Sequence, residues 1–393
     1  MSLLNPTFPS IATYTTPTIT YYTVSETPSA GILQLQELFD KVNIWYCAFT
    51  TPKCFSEYSI KDLMAAEHFQ MVMDKKAWLI LDLSFEPFLD VIDSIYLNVV
   101  LAHGIPASQV ILLSNLFDAE AYSKEAAAKY QSQPIQTCYF SALEWHINHR
   151  QWKVDSKPLE VNKTYGKKFI NLNRRWRLHR AILTILLYHK NLIAKGYVSF
   201  GPCEEHREWT DELWSHITSV VSPNPELSVA VRDSQGIRTM PWLYLDTPEL
   251  DTNRPGINSS TNIYYHDSYF SLVSETTFFT DKPTLNSRFI TEKTYKAILM
   301  QHPFIIVSVP KTLEALRSLG YKTFSPWINE DYDLELNDNE RLSKIVKETE
   351  RLANLTPTEL TEFLTNVIPI CTYNYQLLIN RAQFIGPMKT DTA

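Results

Sequence analysis

Short β-branched and aromatic runs alternate with helix-length amphipathic stretches along most of the chain, and this alternation limits the fold more than any other feature. Ile19 to Val24 reads as a strand, Ile32 to Val42 as a helix and Ile44 to Phe49 as a strand, with Ile60 to Met73 helical again. Ala77 to Leu83 is an apolar strand interrupted only by Asp82. A helix over Phe88 to His103, a strand over Gln109 to Leu113, a helix over Ala119 to Tyr130 and a strand over Ile135 to Phe140 follow. Strand and helix in repeated alternation predict βαβ units, because parallel neighbours need a crossover long enough to hold a helix. The first half therefore reads as a Rossmann-type domain.

A second series opens with a strand at Lys168 to Leu172 and a long helix at Arg174 to Ala194, then a strand at Tyr197 to Phe200 and a helix near Glu208 to Val221. Residues 222 to 262, rich in Pro, Asp, Asn and Thr, read as loops. Strand Tyr269 to Ser274, a helix opening at Thr291, strand Phe304 to Val309, helix Leu313 to Leu319 and strand Tyr321 to Phe324 complete the alternation, and helical spacing continues from Asn339. At 393 residues the chain is too long for one core. The expected division is an arm over 1–17, an α/β domain over 18–150, a polar linker over 151–166, a second α/β domain over 167–365, and a helix and tail over 366–393.

Composition narrows the classes. No apolar run approaches the roughly 18 to 20 residues of a membrane span, the nearest being Ala181 to Tyr188. The start lacks a basic segment followed by an apolar one, so a cytoplasmic protein is expected. Five cysteines at 47, 54, 138, 203 and 371 form no CxxC pair, and are expected to be reduced and mostly buried. A formal net charge of −7 argues against wrapping nucleic acid with the whole surface, yet residues 150 to 180 hold ten Lys or Arg against two acids. Nine glycines leave little for a glycine-rich phosphate cradle, and no Gly-x-Gly-x-x-Gly, Walker loop, Gly-x-Ser-x-Gly or His-Glu-x-x-His is present.

Three constellations carry chemistry. Thr291 as N-cap places Glu292 and Lys293 in a first helical turn, where Lys293 can meet phosphate and Glu292 can accept from both hydroxyls of a ribose. An acid that merely favours the helix dipole, beside a solvated lysine, fits the same spacing. In Phe169 to Arg180 a strand runs into a helix with Asn173 as the expected cap and Arg174, Arg175 and Arg177 in the first turn. Cations there oppose the dipole unless an anion binds, and Arg174 with Arg177, three apart, share a face that could clamp a phosphate; a solvated basic face is the alternative. His179 reads as a packed or capping histidine. Asp82 and Glu86 end a buried strand, where a carboxylate can serve as general base or simply cap the next helix. Asn115 and Asp118 share that ambiguity, Glu144 and His146 are weaker, and Asp331-Tyr332-Asp333, although it has metal-site spacing, reads as a surface turn.

Arg288-Phe-Ile-Thr-Glu-Lys-Thr-Tyr-Lys-Ala297, with His302-Pro-Phe-Ile-Ile-Val307 and Leu316 to Phe324, resembles the C-terminal donor motif of GT-B glycosyltransferases. The likeness is to those of phages and large viruses and, more distantly, to α1,3-fucosyltransferases. Phe169 to Arg180 with Gly196 to Phe200 resembles the start of the C-terminal domain in the same viral proteins. The resemblance implies two Rossmann-like domains facing a cleft, C-terminal helices, a nucleotide diphosphate sugar on the second domain and an acceptor on the first. It assigns Glu292 to the donor ribose, Lys293 to the diphosphate, and Asn173, Arg174 and Arg177 to the phosphate surroundings. No required metal or cofactor is implied, and no N-terminal motif aligns to name the base. A hydroxymethylated base in DNA or a glycan or lipid-linked hydroxyl is the expected acceptor. A binding protein that kept the fold without catalysis, or an unrelated phosphotransferase, is the alternative.

Overall fold

A computed structural model describes residues 12–15, 20–23, 43–48, 60–63, 66–84, 90–141, 143–144, 147, 156–173, 176–200, 209–240, 245, 261–280 and 287–380. The chain is α/β throughout and folds into two compact units, the first drawn mainly from residues 1–146 and the second from 147–381.

The first unit carries a parallel sheet of strands β3 (Asn43–Ala48), β4 (Ala77–Leu83), β5 (Val110–Ser114) and β6 (Gln136–Tyr139), in that order. A two-stranded antiparallel ribbon, β1 (Ala12–Thr15) with β2 (Thr20–Thr23), precedes it. Helices α1 (Ala66–Met73), α2 (Asp90–Ile95, continued by a π-helical stretch to Leu101) and α3 (Ala119–Lys129) supply the crossovers. Leu79, Ile80, Leu81, Val110 and Ile111 are all fully buried. This explains why β4 and β5 are continuous apolar runs rather than alternating ones: both faces of a parallel sheet are covered. Tyr96 fastens the far edge, its hydroxyl accepting from Ile135 N at 2.9 Å and donating towards the carbonyls of Gln133 and Ser123. The expected helix over 32–42 lies outside the described residues.

The second unit carries a parallel sheet in the order β10 (Phe304–Val307), β9 (Ser268–Ser274), β7 (Lys167–Asn173), β8 (Gly196–Phe200). Gly196 is required where β8 meets β7, since a Cβ there would sit 2.5 Å from the ring of Phe169. Helix α4 (Leu178–His189) is buried continuously from His179 to Leu187. It is followed by α5 (Asp211–Val221), α6 (Pro225–Asp233), the short α7 (Asn262–Tyr265), α8 (Glu292–Leu299), α9 (Thr312–Ser318), α10 (Asp338–Ala353) and α11 (Pro357–Asn380). Among the described residues no helix is long and apolar enough to cross a membrane.

Four local expectations are corrected. Helix α6 lies inside the stretch expected to be loops, with Asn224 accepting from Leu227 N and Pro225 in the first turn. Tyr321 to Phe324 is not a strand: Lys322 exchanges hydrogen bonds with the Asn374 side chain, and Phe324 N donates to Glu330, so the ladder's donors are taken. Asp331 to Asp333 is not a surface turn either. Asp333 is buried and caps α9 by accepting from Leu313 N and Glu314 N, and burial pushes its carboxyl up to about 6. The fourth, at the start of α4, bears on the site.

Candidate functional site at the carboxyl edge of the second sheet

Strands β7 and β9 are adjacent and parallel, and two turns meet by their ends: the one that leads from β7 to α4, and the one that opens α8, whose cap Thr291 is bonded to Glu275, the residue that follows β9. At the second of these turns Thr291 takes an extended backbone (φ −101°, ψ 178°), and its hydroxyl accepts from Lys293 N at 3.2 Å. That is the cap expected from the sequence. Lys293 Nζ then reaches back to Thr291 Oγ1 at 3.1 Å and to Glu292 Oε1 at 3.1 Å. The two charged side chains keep 26% and 29% of their surface, enough for both to meet a ligand.

The start of α4 differs from expectation. The helix begins at Leu178, and Arg177 stands before it with extended backbone (φ −149°, ψ 146°). Arg177 is exposed and donates to the carbonyl of Trp176. Asn173 therefore caps nothing. It is the last residue of β7, completely buried, with its Nδ2 on Asn171 Oδ1 at 2.6 Å and its N–H on Ser199 Oγ. Arg174, and the clamp expected of it with Arg177, lie outside the described residues. The cation within the first turn of α4 is instead Arg180, and its surroundings explain why it is tolerated. Its Nη2 donates to the carbonyls of Ser274 at 3.1 Å and Glu275 at 3.0 Å, oxygens that partly offset the unfavourable dipole.

Glu275, which follows β9 directly, was not among the residues singled out from sequence, and it holds the two turns together. Its carboxylate is fully buried. It accepts from Thr291 N (3.1 Å), Thr291 Oγ1 (2.5 Å) and Thr294 Oγ1 (2.6 Å), and so sits beneath the first turn of α8. The backbone carbonyl of the same residue accepts from Arg180 and lies 3.1 Å from His179 Nε2. The sequence signal available for it was the pairing of an acid after a buried strand with Thr291 and Thr294, three apart on one face of α8.

His179 is buried, stacked on Phe278 with centroids 5.4 Å apart. Burial, then the charge of Arg180, with Arg177 and Lys293 adding, hold its imidazole well below the usual histidine range. The ring is therefore neutral and gives its Nε2 hydrogen to the Glu275 carbonyl, which makes it a packing group as the sequence suggested. The charges of Arg180, Arg177 and Lys293 thus all bear on one imidazole. Among the described residues, Asn173 Oδ1 at the end of β7 and Thr277 Oγ1, two residues past Glu275, are buried without a hydrogen-bond partner, as is Asn115 Oδ1 in the first unit.

The carboxyl edge of the first sheet is built differently. Asp82 is buried near the end of β4 and binds its own turn, its Oδ1 accepting from Ser84 N at 3.0 Å and Ser84 Oγ at 2.5 Å. Asn115, after β5, donates to the Ser84 carbonyl at 2.7 Å. Asp118 stands at the N-cap position of α3 without a side-chain capping bond, and Glu144 is buried. Glu86 and His146 lie outside the described residues. No group of His, Cys, Asp and Glu that could hold a metal occurs among the described residues.

No family model matches the sequence, and no curated protein matches it. Among solved structures the chain is similar to an S. aureus TarM mutant in complex with fondaparinux, alpha-GlcNAc-glycerol and UDP, with 13% identity over 89% of this chain and a TM-score of 0.35. It spans 58% of that TarM chain. It is also similar to the N-terminal domain of Candida albicans trehalose-6-phosphate phosphatase, with 10% identity over 88% of this chain and 70% of that one and a TM-score of 0.40. A UDP-forming trehalose-phosphate synthase from Burkholderia xenovorans, in complex with glucose-6-phosphate, is similar at 10% identity, 88% and 74% coverage and a TM-score of 0.40. Likeness at this level carries no argument about substrate or reaction.

Proposed function

We propose that the chain is a glycosyltransferase that moves a sugar from a nucleoside diphosphate donor to an acceptor hydroxyl. The observation that carries this reading is the pair of helix starts by the ends of adjacent parallel strands, with Arg177 just before one and Lys293 in the first turn of the other. The sequence resemblance of 288–297 to a donor motif supports it. In this reading Glu292 accepts from the ribose hydroxyls while Lys293 and Arg177 take the diphosphate. Thr291 shapes the turn, and Asn173 and Arg174 stand as phosphate neighbours.

The chemistry follows from charge. The acceptor oxygen forms a bond to the anomeric carbon as the bond from that carbon to the diphosphate oxygen breaks. The departing diphosphate takes the electron pair, and Lys293 with Arg177 stabilises the charge that grows on it. The acceptor proton passes to a carboxylate of the first unit, Asp82 or Glu86. A hydroxymethylated base in DNA would have to leave the duplex to present its hydroxyl, whereas a glycan or lipid-linked acceptor would not.

A thermal-shift screen of UDP, GDP and CDP and their sugars tests the donor side. At least one should raise the melting temperature, and Glu292→Ala and Lys293→Ala should each reduce the rise. Full stabilisation retained in both variants would place the donor elsewhere. Sugar transfer, or slow hydrolysis of the bound nucleotide sugar, separates an enzyme from a binding protein. A gel shift with duplex DNA that is lost as salt rises would favour the DNA acceptor.

A further inference from the structure

Helix α10 reaches the turn beyond β9 through two charged side chains, Asp338 and Arg341, three apart in its first turns. Arg341 is among the largest fully buried side chains of the protein. Its Nε donates to the Ser308 carbonyl just after β10 at 3.0 Å, its Nη1 to the Glu335 carbonyl at 3.0 Å, and its Nη2 to the Phe278 carbonyl at 2.5 Å. Asp338 supplies the counter-charge, with Oδ1 2.6 Å from the same Nη2. The same carboxylate also accepts from Thr280 N at 3.0 Å and from Thr280 Oγ1 at 3.1 Å. The stretch Phe278 to Thr280 is thus held at both ends from α10.

That stretch leads to the start of α4. The Phe278 ring receives the Arg341 guanidinium 4.3 Å from its centroid and stacks on His179, with centroids 5.4 Å apart. Phe279 meets the same imidazole at 74°, with centroids 6.2 Å apart. His179 is the second residue of α4, and Arg177 stands immediately before that helix. A chain of contacts therefore runs from α10 through residues 278 to 280 to the turn that carries Arg177. Replacing a buried ion pair by apolar residues of like volume is often neutral for stability, so packing alone does not account for the pair. Charged hydrogen bonds add direction, which an apolar contact lacks. We infer that Asp338 and Arg341 are positioning residues, which fix the turn after β9 and through it the start of α4 in the geometry that receives the diphosphate. The inference rests on the donor reading above and adds to it a third element, α10, that acts on the donor without touching it.

Calorimetric titration of UDP, GDP and CDP on the full chain tests this, with the unaltered protein, Asp338→Asn, Thr280→Val and Glu348→Gln. Thr280→Val removes one hydroxyl bond to Asp338 and leaves the ion pair whole. Glu348→Gln is the control for general loosening of α10, because Glu348 is a buried acid of the same helix that holds Arg351 and Asn329 N instead. Asp338→Asn should weaken nucleoside diphosphate binding about tenfold and Thr280→Val about threefold, the range over which residues remote from a ligand modulate it. Glu348→Gln should lower the urea midpoint and keep its affinity, a split that a merely structural role of Asp338 would not produce. Unchanged affinity in Asp338→Asn, or an equal loss in Glu348→Gln, overturns this inference and leaves the donor reading standing. Should Asp338→Asn fail to fold, Thr280→Val carries the test, and unchanged affinity there overturns the inference. Absence of binding by all three nucleoside diphosphates to the unaltered protein overturns both.

Discussion

The two sheets end in polar turns of opposite character. In the first unit the side chains beyond β4 and β5 hold their own backbone: Asp82 ties down Ser84, and Asn115 donates to the Ser84 carbonyl. In the second unit the turns beyond β7 and β9 bring together cations, helix N-termini and a buried glutamate that binds both. One fold principle, a helix start after each parallel strand, thus yields one edge rich in carboxylate and amide and another where cations stand at helix starts. The strand end gives the place, and the side chains decide the ligand.

The contrast can be broken by mutation, and the largest effect is expected in the second unit. Glu275→Ala leaves Thr291 N–H and two hydroxyls without their acceptor and should cost about 3 kcal/mol of stability, whereas Asp82→Ala should cost about 1 kcal/mol. Urea unfolding with hydrogen exchange read separately in each unit measures both, and equal losses would erase the distinction. Next, Asp82→Asn should lower sugar transfer about a hundredfold while leaving nucleoside diphosphate affinity unchanged, if the first edge supplies the base. Should transfer survive intact, Glu86 takes its place as the candidate. Lys293→Met should weaken nucleoside diphosphate binding about tenfold, the worth of one charge-assisted hydrogen bond. Arg177→Ala, at an exposed position, should weaken it about threefold at low salt, with the difference fading near physiological ionic strength.

The smallest effect concerns pH. His179 has its folded pKa below its unfolded value, so the unfolded chain binds its proton more readily and stability from this group is lost as pH falls below about 6.5. Because the ring stays neutral in the fold, donor affinity should be flat between about pH 6.5 and 8 as far as His179 is concerned. A step there that disappears in His179→Gln would show the ring titrating, contrary to its packed role.

How much of this was legible from sequence depends on how local each signal is. Thr291, Glu292 and Lys293 were readable because a cap and its first turn are contiguous. The alternation of strands was readable because both faces of β4 and β5 are buried. Arg177 was misplaced by a few residues: Asn173 looks like a cap, but its amide is used against Asn171, and Arg177 remains extended before α4 begins. Glu275 could not stand out, since what makes it special is contact with residues 16 and 19 positions away in sequence. Helix α6, by contrast, was signalled by Asn224-Pro225 and was obscured by the polar composition around it. Asp333 looked exposed because a short acidic run usually is, yet α9 needed a cap from outside its own sequence.

Glu275 touches α8 through its carboxylate and α4 through its carbonyl, and this sets the gauge of the site. The two helix starts share Glu275, with the Ser274 carbonyl as a second hold on Arg180, so neither can slide outward without dragging the other or parting several hydrogen bonds. If these turns hold a diphosphate, spreading the helices is not a route to accommodate a bulkier one. Any latitude in such a site would come from the rim side chains, while the spacing between the turns acts as a fixed ruler that Glu275 helps to set.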